Sequence, residues 1–565
     1  MATADGDRHA GIPRTSRWWG WGDRAHDAPP PAHAVSWLEG VLDGPLDAPR
    51  PPVGLDEVRL GPAALASEAR AALREVVGDV HVRDDREARV LHAAGKSYPD
   101  LVRQRAGDAE GAPDAVVLPG SHAEVRGVLE ACAAAGVAVV PFGGGTSVVG
   151  GVEPLRGGFD AVVALDLGRM TGLVSLDEGS RTAVLEPGLR GPEAERLLNP
   201  RGFTLGHVPQ SFEYATVGGF VATRSAGQAS TGYGRIDELV LGLRLAAPAA
   251  ELDLPPLPAS AAGPGLRETL VGSEGAFGVI TQAALRVAPL PAERRYEAWV
   301  FPDFRAGAAC FRELEQSAIA PTIARLSDER ETEMNLALSG TGGVKGRALD
   351  AYLGARRVRG GCLAILGWEG TEATVHARRQ AALPVLRDHG AAGLGQGAGR
   401  SWERGRFHAP YLRDDLLARG VLVETLETAA QWSDLHELHR AVGDALRRHC
   451  PLVACHISHL YGSGASLYFT FLARQDRGGE LDQWRRIKAD ACDAIVAHRG
   501  TITHHHAVGR DHAAWMPAEV GEAGVAALHA LKRELDPVGI LNPGKLIPSV
   551  GGEVGAGAPT PARAV

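Results

Sequence analysis

Three adjacent histidines, His504, His505 and His506, stand in the stretch GTITHHHAVG at residues 500–509. Imidazole takes and gives protons near neutrality, with an unperturbed pKa of about 6.5, and it also ligates transition metals. Were the stretch extended, His504 and His506 would share one face and His505 would take the other. A catalytic zinc needs about three protein ligands and a structural zinc about four. One shared face supplies two, and neither His512, Asp511 nor Asp536 completes a helical HExxH or a cysteine-paired framework. The ligand count therefore predicts no metal. Hydrogen-bonded structural histidines and a proton-handling group remain as readings.

A second chemistry is written in glycine. PFGGGTSVVGG (141–151) places three successive glycines after a strand-like run, and Thr146 and Ser147 add hydroxyl donors. Glycines allow positive φ and let backbone N–H groups approach a ligand, an anion cradle suited to a pyrophosphate; a tight turn is the plainer alternative. The loop lacks GxGxxG opening a helix and lacks Gly-Lys-Ser/Thr, which disfavours a Rossmann site and a P-loop. Two further segments repeat the pattern. PQSFEYATVGGFVATRSAGQASTGYGRIDELV (209–240) and VGSEGAFGVIT (271–281) are both glycine-rich and strand-flanked. Three such loops point to a long cofactor lying across a sheet.

The elements that must position these groups are legible in outline. DAVVLPG (114–120), the Ser-capped SHAEVRGVLEACAAAG (121–136) and VAVVPFGGG form a β–α–β unit. Strand patterns follow at 161–167, 172–178, 182–188, 238–246 and 278–288, with a helix at 192–202. Residues 293–500 mix strands such as CLAILGWEG with longer helices such as 433–449 and predict a second α+β domain. The spacing predicts helix over about 63–105, and the proline-rich 27–54 reads as an extended arm. GAGAPTPARAV at the end has no large apolar side chain besides valine and predicts a disordered tail over 549–565.

A chain of 565 residues predicts two or more domains. The 59 Lys+Arg against 68 Asp+Glu give a net charge of −9, which offers no global attraction to nucleic acid. The six scattered cysteines form no CxxC framework and predict reduced thiols in a cytoplasmic protein. No signal peptide, peroxisomal signal or spanning apolar run is present in the sequence.

PFGGGTSVVGG, TVGGFVATRSAG, YGRIDELV and GSEGAFGVIT resemble the flavin-binding signatures of the vanillyl-alcohol oxidase/PCMH-type FAD flavoproteins. RWWGWG (17–22), GHVPQSFEYATVGG, PTIARLSD, YLRDD, LETAAQW and ITHHHAVG follow in the order of one branch, the alkyldihydroxyacetonephosphate synthase (alkylglycerone-phosphate synthase) family. The resemblance runs from about residue 14 to 547. It implies an α+β fold in which a PCMH-type FAD-binding domain of two α/β subdomains (111–292) follows an N-terminal arm and helical region (1–110). An α+β cap or substrate domain (293–500) comes next, and a C-terminal segment (501–548) completes the active site.

The resemblance also implies site residues. FAD contacts come from Pro141, Phe142, Gly143, Gly144, Gly145, Thr146 and Ser147, and from Gln210, Ser211, Phe212, Glu213, Tyr214, Ala215 and Thr216. Thr223, Arg224, Ser225 and Ala226 contribute, as do Glu274, Gly275, Ala276, Phe277, Gly278, Val279 and Ile280. Many relatives attach FAD through a histidine in the first loop; this loop has none, so non-covalent FAD is expected. Arg413 matches a substrate-phosphate ligand, with a surface pair to Asp414 or Asp415 as its plainer reading. Arg325 matches an arginine near the flavin, or else pairs Asp328. Tyr468 matches the acid–base tyrosine, whose phenol needs a lowered pKa to act as a base, or else is a core tyrosine.

The implied reaction exchanges the acyl group of acyl-dihydroxyacetone phosphate for a fatty alcohol without net redox. His504, His505 and His506 would then position the substrate and shuttle protons. A FAD-dependent 2-hydroxy acid dehydrogenase or oxidase of the same fold is the alternative, and a flavin-binding protein without turnover is a third class. Peripheral membrane association and a homodimer are left open. The tryptophans of RWWGWG are expected to pack an N-terminal arm on the body.

Overall fold

A computed structural model describes residues 17–27, 29–340 and 343–548; Arg14 and the expected tail at 549–565 lie outside the described residues. The β–α–β unit forms as the sequence dictates. Ala115–Val117 and Val137–Phe142 each lie parallel to Ala161–Asp166, and Val82–Arg83 closes the sheet antiparallel. The crossover helix His122–Ala135 starts where Ser121 accepts the Glu124 N–H and stops at Gly136, whose φ of +62° is left-handed. Residues near the C-terminus return to this sheet: Val139 N–H donates to Ile540 O (2.8 Å), and Asn542 N–H donates back to Val139 O (2.8 Å).

A second, antiparallel sheet orders Glu251–Leu254, Val240–Ala246, Val279–Arg286, Thr182–Leu185 and Leu173–Asp177. The third is the eight-stranded antiparallel sheet of the region after 292, in which Val421–Gln431 pairs along its whole length with Gly464–Arg474. Its register sets Glu427 opposite Tyr468, and on the other flank His456 opposite Tyr468. Each sheet has its own apolar core. All six cysteines are buried and free, as the scattered spacing predicted. No helix among the described residues is long and apolar enough to cross a membrane.

Two expectations change. The single helical stretch at 63–105 is three helices, Ser67–Val77, Arg86–Leu91 and Tyr98–Arg105. Gly78 (φ +87°) ends the first, and Asp85 and Ser97 side chains cap the next two afresh. The proline-rich arm contains a helix, Ala32–Val41, because Leu38 and Leu42 face Leu416, Val421 and Leu472 of the large-sheet domain. The tryptophan arm packs on the body: Trp21 is buried and meets Tyr214 edge to face at 5.5 Å.

Candidate functional site

The predicted glycine segments converge. A Cβ on Gly143 would strike the Thr216 hydroxyl, one on Gly144 the Tyr214 carbonyl, and one on Gly275 (φ +76°) the Pro141 ring at 2.7 Å. Loops 141–147, 210–216 and 274–280 therefore touch through their backbones. Among the described residues, none of the N–H groups of residues 143–147 donates to a protein acceptor. Buried or cleft N–H groups need partners, and a run of unspent donors suits a pyrophosphate.

Several side chains of these loops are already engaged, leaving backbone as their contribution. Arg224 donates to Val271 O (2.9 Å) and Glu268 O (2.8 Å). Ala276, Phe277, Val279 and Ile280 lie in the apolar cores, and Phe142 packs on His92 at 4.3 Å. Ser225 bonds His207 (2.6 Å), Thr223 bonds Gly219 O (2.8 Å) and Gln210 bonds Arg406 O (2.8 Å). Phe212 stacks on Phe407. Glu274 reaches across to the C-terminal segment, where its carboxyl accepts from Val508 N–H (2.9 Å) and Gly509 N–H (2.8 Å). Burial pushes Glu274 up to about 7 against those two donors.

The histidine stretch is not extended. Residues 501–508 run through bends, so the face alternation expected of a strand does not hold. The cause is Glu427. Its Oε1 accepts from Thr503 Oγ1 (2.7 Å), His505 N–H (3.1 Å) and His506 N–H (2.8 Å), and Oε2 accepts from His504 N–H (2.5 Å). Consecutive N–H groups of a strand point to opposite sides, so three can meet one carboxylate only if the chain turns around it. Burial works against the charge of Glu427. The imidazoles of His505, His506 and His504 and the Thr503 hydroxyl work for it, and the carboxyl is held well below its usual range.

The turn gathers all three rings on one locus. His505 stacks on Tyr468 (5.9 Å, 16°) and His506 meets the same ring edge-on at 5.5 Å. His504 Nδ1 lies 3.0 Å from His505 Nδ1, and its Nε2 lies 2.5 Å from the Tyr461 hydroxyl. Burial lowers all three imidazoles, His506 to about 3, so they are neutral at pH 7. His459 joins them, bonded through Nδ1 to Ser230 Oγ (2.6 Å). His459, His504 and His505 each bring one nitrogen within 4.8 Å of the others. The ligand count made on the sequence missed this third imidazole, since His459 comes from a different element.

Tyr468 is sandwiched, with His456 stacked on its other side at 4.9 Å. Burial pushes its phenol up to about 12, opposed by the Thr425 hydroxyl, so this chain's own groups hold it protonated and do not lower it as a base requires. Arg325 donates to Glu331 (2.9 Å) and lies 3.2 Å from His456 Nδ1. Its ionic partner is thus Glu331 and not Asp328, which caps the helix Glu329–Ser339. Arg413 sits apart from the histidines. Its Nη1 donates to Lys96 O (2.9 Å), its Nη2 reaches Asp414 (3.4 Å), and its buried Nε has no partner among the described residues. Asp415 instead pairs Arg419. Glu424, bonded by Trp484 Nε1 (2.9 Å), lies within electrostatic reach of both Arg413 and Tyr468.

The N-terminal arm closes over Arg413. Lys96 Nζ donates to Arg17 O (2.9 Å) and Trp18 O (3.2 Å), Trp21 N–H donates to Asp414, and Asp23 N–H donates to Tyr214 Oη (2.9 Å). Burial lowers Lys96 to about 8, with Asp414 opposing.

Comparison with known proteins matches this geometry. Residues 113–252 match the FAD binding domain model, and residues 290–546 match the model described as FAD linked oxidases, C-terminal domain. The chain is 36% identical to the alkyldihydroxyacetonephosphate synthase of Trypanosoma brucei brucei, covering 87% of this chain and 82% of that protein. The chain belongs to the alkyldihydroxyacetonephosphate synthase family. The Dictyostelium discoideum synthase is 30% identical over 96% of this chain and 95% of its own length. A solved synthase structure superposes with a TM-score of 0.82 at 29% identity, covering 94% of this chain and 99% of that one. FAD is the cofactor of this family's fold, and the unspent donors of residues 143–147 fit it.

Proposed function

We propose that the protein exchanges the acyl group of acyl-dihydroxyacetone phosphate for a long-chain alcohol, giving an ether-lipid precursor without net redox. Two observations carry the reading: Arg413 keeps a buried Nε without a partner among the described residues, and Tyr468 is held protonated between the rings of His456 and His505. A guanidinium fork suits a phosphate dianion, and the remaining Nε–H gives it a donor not spent on protein. Tyr468, neutral and buried, holds a proton that it can lend to a leaving oxygen, and the neutral histidines hold lone pairs for a proton taken from substrate carbon. Residues 141–147, 210–216 and 274–280 would hold FAD, which would supply an electron-poor ring system beside the substrate. The first loop holds no histidine, so FAD is bound without a covalent link.

The test is anaerobic. The purified flavoprotein is mixed with acyl-dihydroxyacetone phosphate and a fatty alcohol, or with a panel of 2-hydroxy acids. Ether formation that is weakened through KM in Arg413→Ala and lost in Tyr468→Phe supports the reading. Rapid flavin bleaching by a hydroxy acid with no ether product overturns it in favour of a dehydrogenase. Flavin fluorescence left on the acid-precipitated polypeptide would overturn the non-covalent assignment.

A further inference from the structure

Arg235 leaves the flavin-domain segment YGRIDELV, bonds Asp237 (3.1 Å) and Arg224 O (3.2 Å), and holds its guanidinium within electrostatic reach of the Tyr461 hydroxyl. A guanidinium has no acceptor, so it cannot take the single hydrogen that the Tyr461 hydroxyl has to give. The acceptor that hydrogen meets is His504 Nε2 at 2.5 Å. A neutral imidazole that accepts at Nε2 carries its hydrogen at Nδ1. His504 Nδ1 lies 3.0 Å from His505 Nδ1, a separation that requires one proton between the two nitrogens. His504 supplies it, His505 Nδ1 accepts it, and the hydrogen of His505 is left at Nε2. That nitrogen has no hydrogen-bond partner among the described residues, while the faces and edge of its ring are covered by Tyr468, His506 and His459.

The rival for the hydrogen of His505 is Glu427. Its oxygens already hold four donors and stand 3.8 Å from His505 Nδ1, beyond hydrogen-bond distance. The reverse wire, with His504 donating to Tyr461, would leave the Tyr461 hydrogen without an acceptor among the described residues.

We propose that Arg235 and Tyr461 are positioning residues that set the tautomers of His504 and His505, so that His505 presents Nε2–H to the substrate and is the donor of the trio. This rests on the reading that the histidines handle the substrate's proton. It answers which of the three gives one, and it makes a residue of the flavin domain decide the polarity of a group on the C-terminal segment.

The experiment uses the full-length flavoprotein with 15N-labelled histidine, the His505 signals being assigned by their loss in His505→Gln. The expected result is His505 protonated at Nε2 in the wild type and at Nδ1 in Tyr461→Phe, where His504 is released to carry its hydrogen at Nε2. Arg235→Lys, which still only donates, keeps the wild-type pattern; Arg235→Gln, which can also accept, does not. Ether formation in Tyr461→Phe falls in kcat by about tenfold or more with KM changed less than about twofold, the signature of lost acid–base orientation rather than lost binding. A wild-type His505 protonated at Nδ1, or a Tyr461→Phe variant with unchanged tautomers, overturns the proposal. A correct tautomer pattern in a protein that forms no ether refutes the proposed reaction and leaves the wire standing.

Discussion

Replacing Glu427 by Gln isolates the group that turns the histidine stretch. The substitution keeps size and removes one acceptor oxygen and the charge. The single amide oxygen does best at the Oε1 position, where it retains Thr503, His505 and His506; the NH2 then faces the His504 N–H from the Oε2 side. One hydrogen bond to a charged group is lost, worth about 1.5–3 kcal/mol, and two donors are left opposed in a fully buried place. The three retained bonds fall from charge-assisted to neutral, a further loss of about 0.5 kcal/mol each. The sum is about 3–5 kcal/mol against a total stability of order 5–15 kcal/mol, so the variant folds but with a lower urea midpoint and an unchanged slope. Because the imidazoles ride on this turn, a shift of about 1 Å in their rings costs about a hundredfold in kcat. Equilibrium urea unfolding and the rate of ether formation measure the two effects. A midpoint shift worth less than about 0.5 kcal/mol together with kcat within about twofold of wild type would show that the carboxylate does not shape the site.

Arg413→Ala should raise KM for the phosphate substrate by about tenfold or more with the flavin spectrum unchanged, and Arg413→Lys should not restore it, since an ammonium cannot reproduce the fork; steady-state kinetics checks both. Gly144→Ala forces a Cβ into the Tyr214 carbonyl, so the protein should purify with little flavin while keeping its secondary structure, read by absorbance and circular dichroism. Acid should unfold the protein steeply. Burial lowers His207, His506 and His512 to about 3, and lowers His459 and His504 well below their usual range. Above about pH 6.5 these imidazoles are neutral in both states; below it the unfolded chain binds protons that the folded chain refuses, so stability falls as pH drops toward about 3. Glu274 and Asp511, both raised to about 7 by burial, act oppositely between their unfolded values and about 7. The lowered imidazoles, His505 among them, outnumber these two carboxyls, so on balance stability falls as pH drops from about 6.5 to 5. A flat urea midpoint between pH 7 and 5 would refute this count.

Local signals in the sequence were enough where chemistry and conformation share the same residues. The Ser121 cap, the Gly136 stop and the glycine loop all announce their own geometry, so the β–α–β unit and the cradle are legible residue by residue. The histidine turn is different, because its shape is imposed from another strand. Read alone, TITHHH has β-branched residues and is compatible with extension; Glu427, about 77 positions earlier, is what the chain bends around. A signal for Glu427 did exist: LVETLETAAQ places two acids inside an apolar strand run, and a buried acid needs donors. What the sequence withheld was which donors. The same holds for His459 and Tyr461, which reach the histidines from the hairpin preceding Gly464–Arg474, and for Arg235, which comes from a different domain.

The large sheet explains why these contributions meet. Its register places Tyr468 between Glu427 on one neighbouring strand and His456 on the other. The phenol is thereby stacked on His456 from within the sheet, while the carboxylate beside it draws the C-terminal stretch down so that His505 covers the opposite ring face. The strand of Tyr468 cannot slip by one residue without sending Tyr468 to the other face, away from Glu427 and His456. The alignment is therefore held by the eleven paired positions of Val421–Gln431 and Gly464–Arg474 and the apolar core beneath them, not by the polar contacts themselves. Tyr468 is thus positioned by the long paired strands, and the histidine segment is tied through Glu427 to the sheet and through Glu274 to the glycine loops. Loosening either carboxylate should uncouple proton handling from flavin binding while leaving the sheet intact.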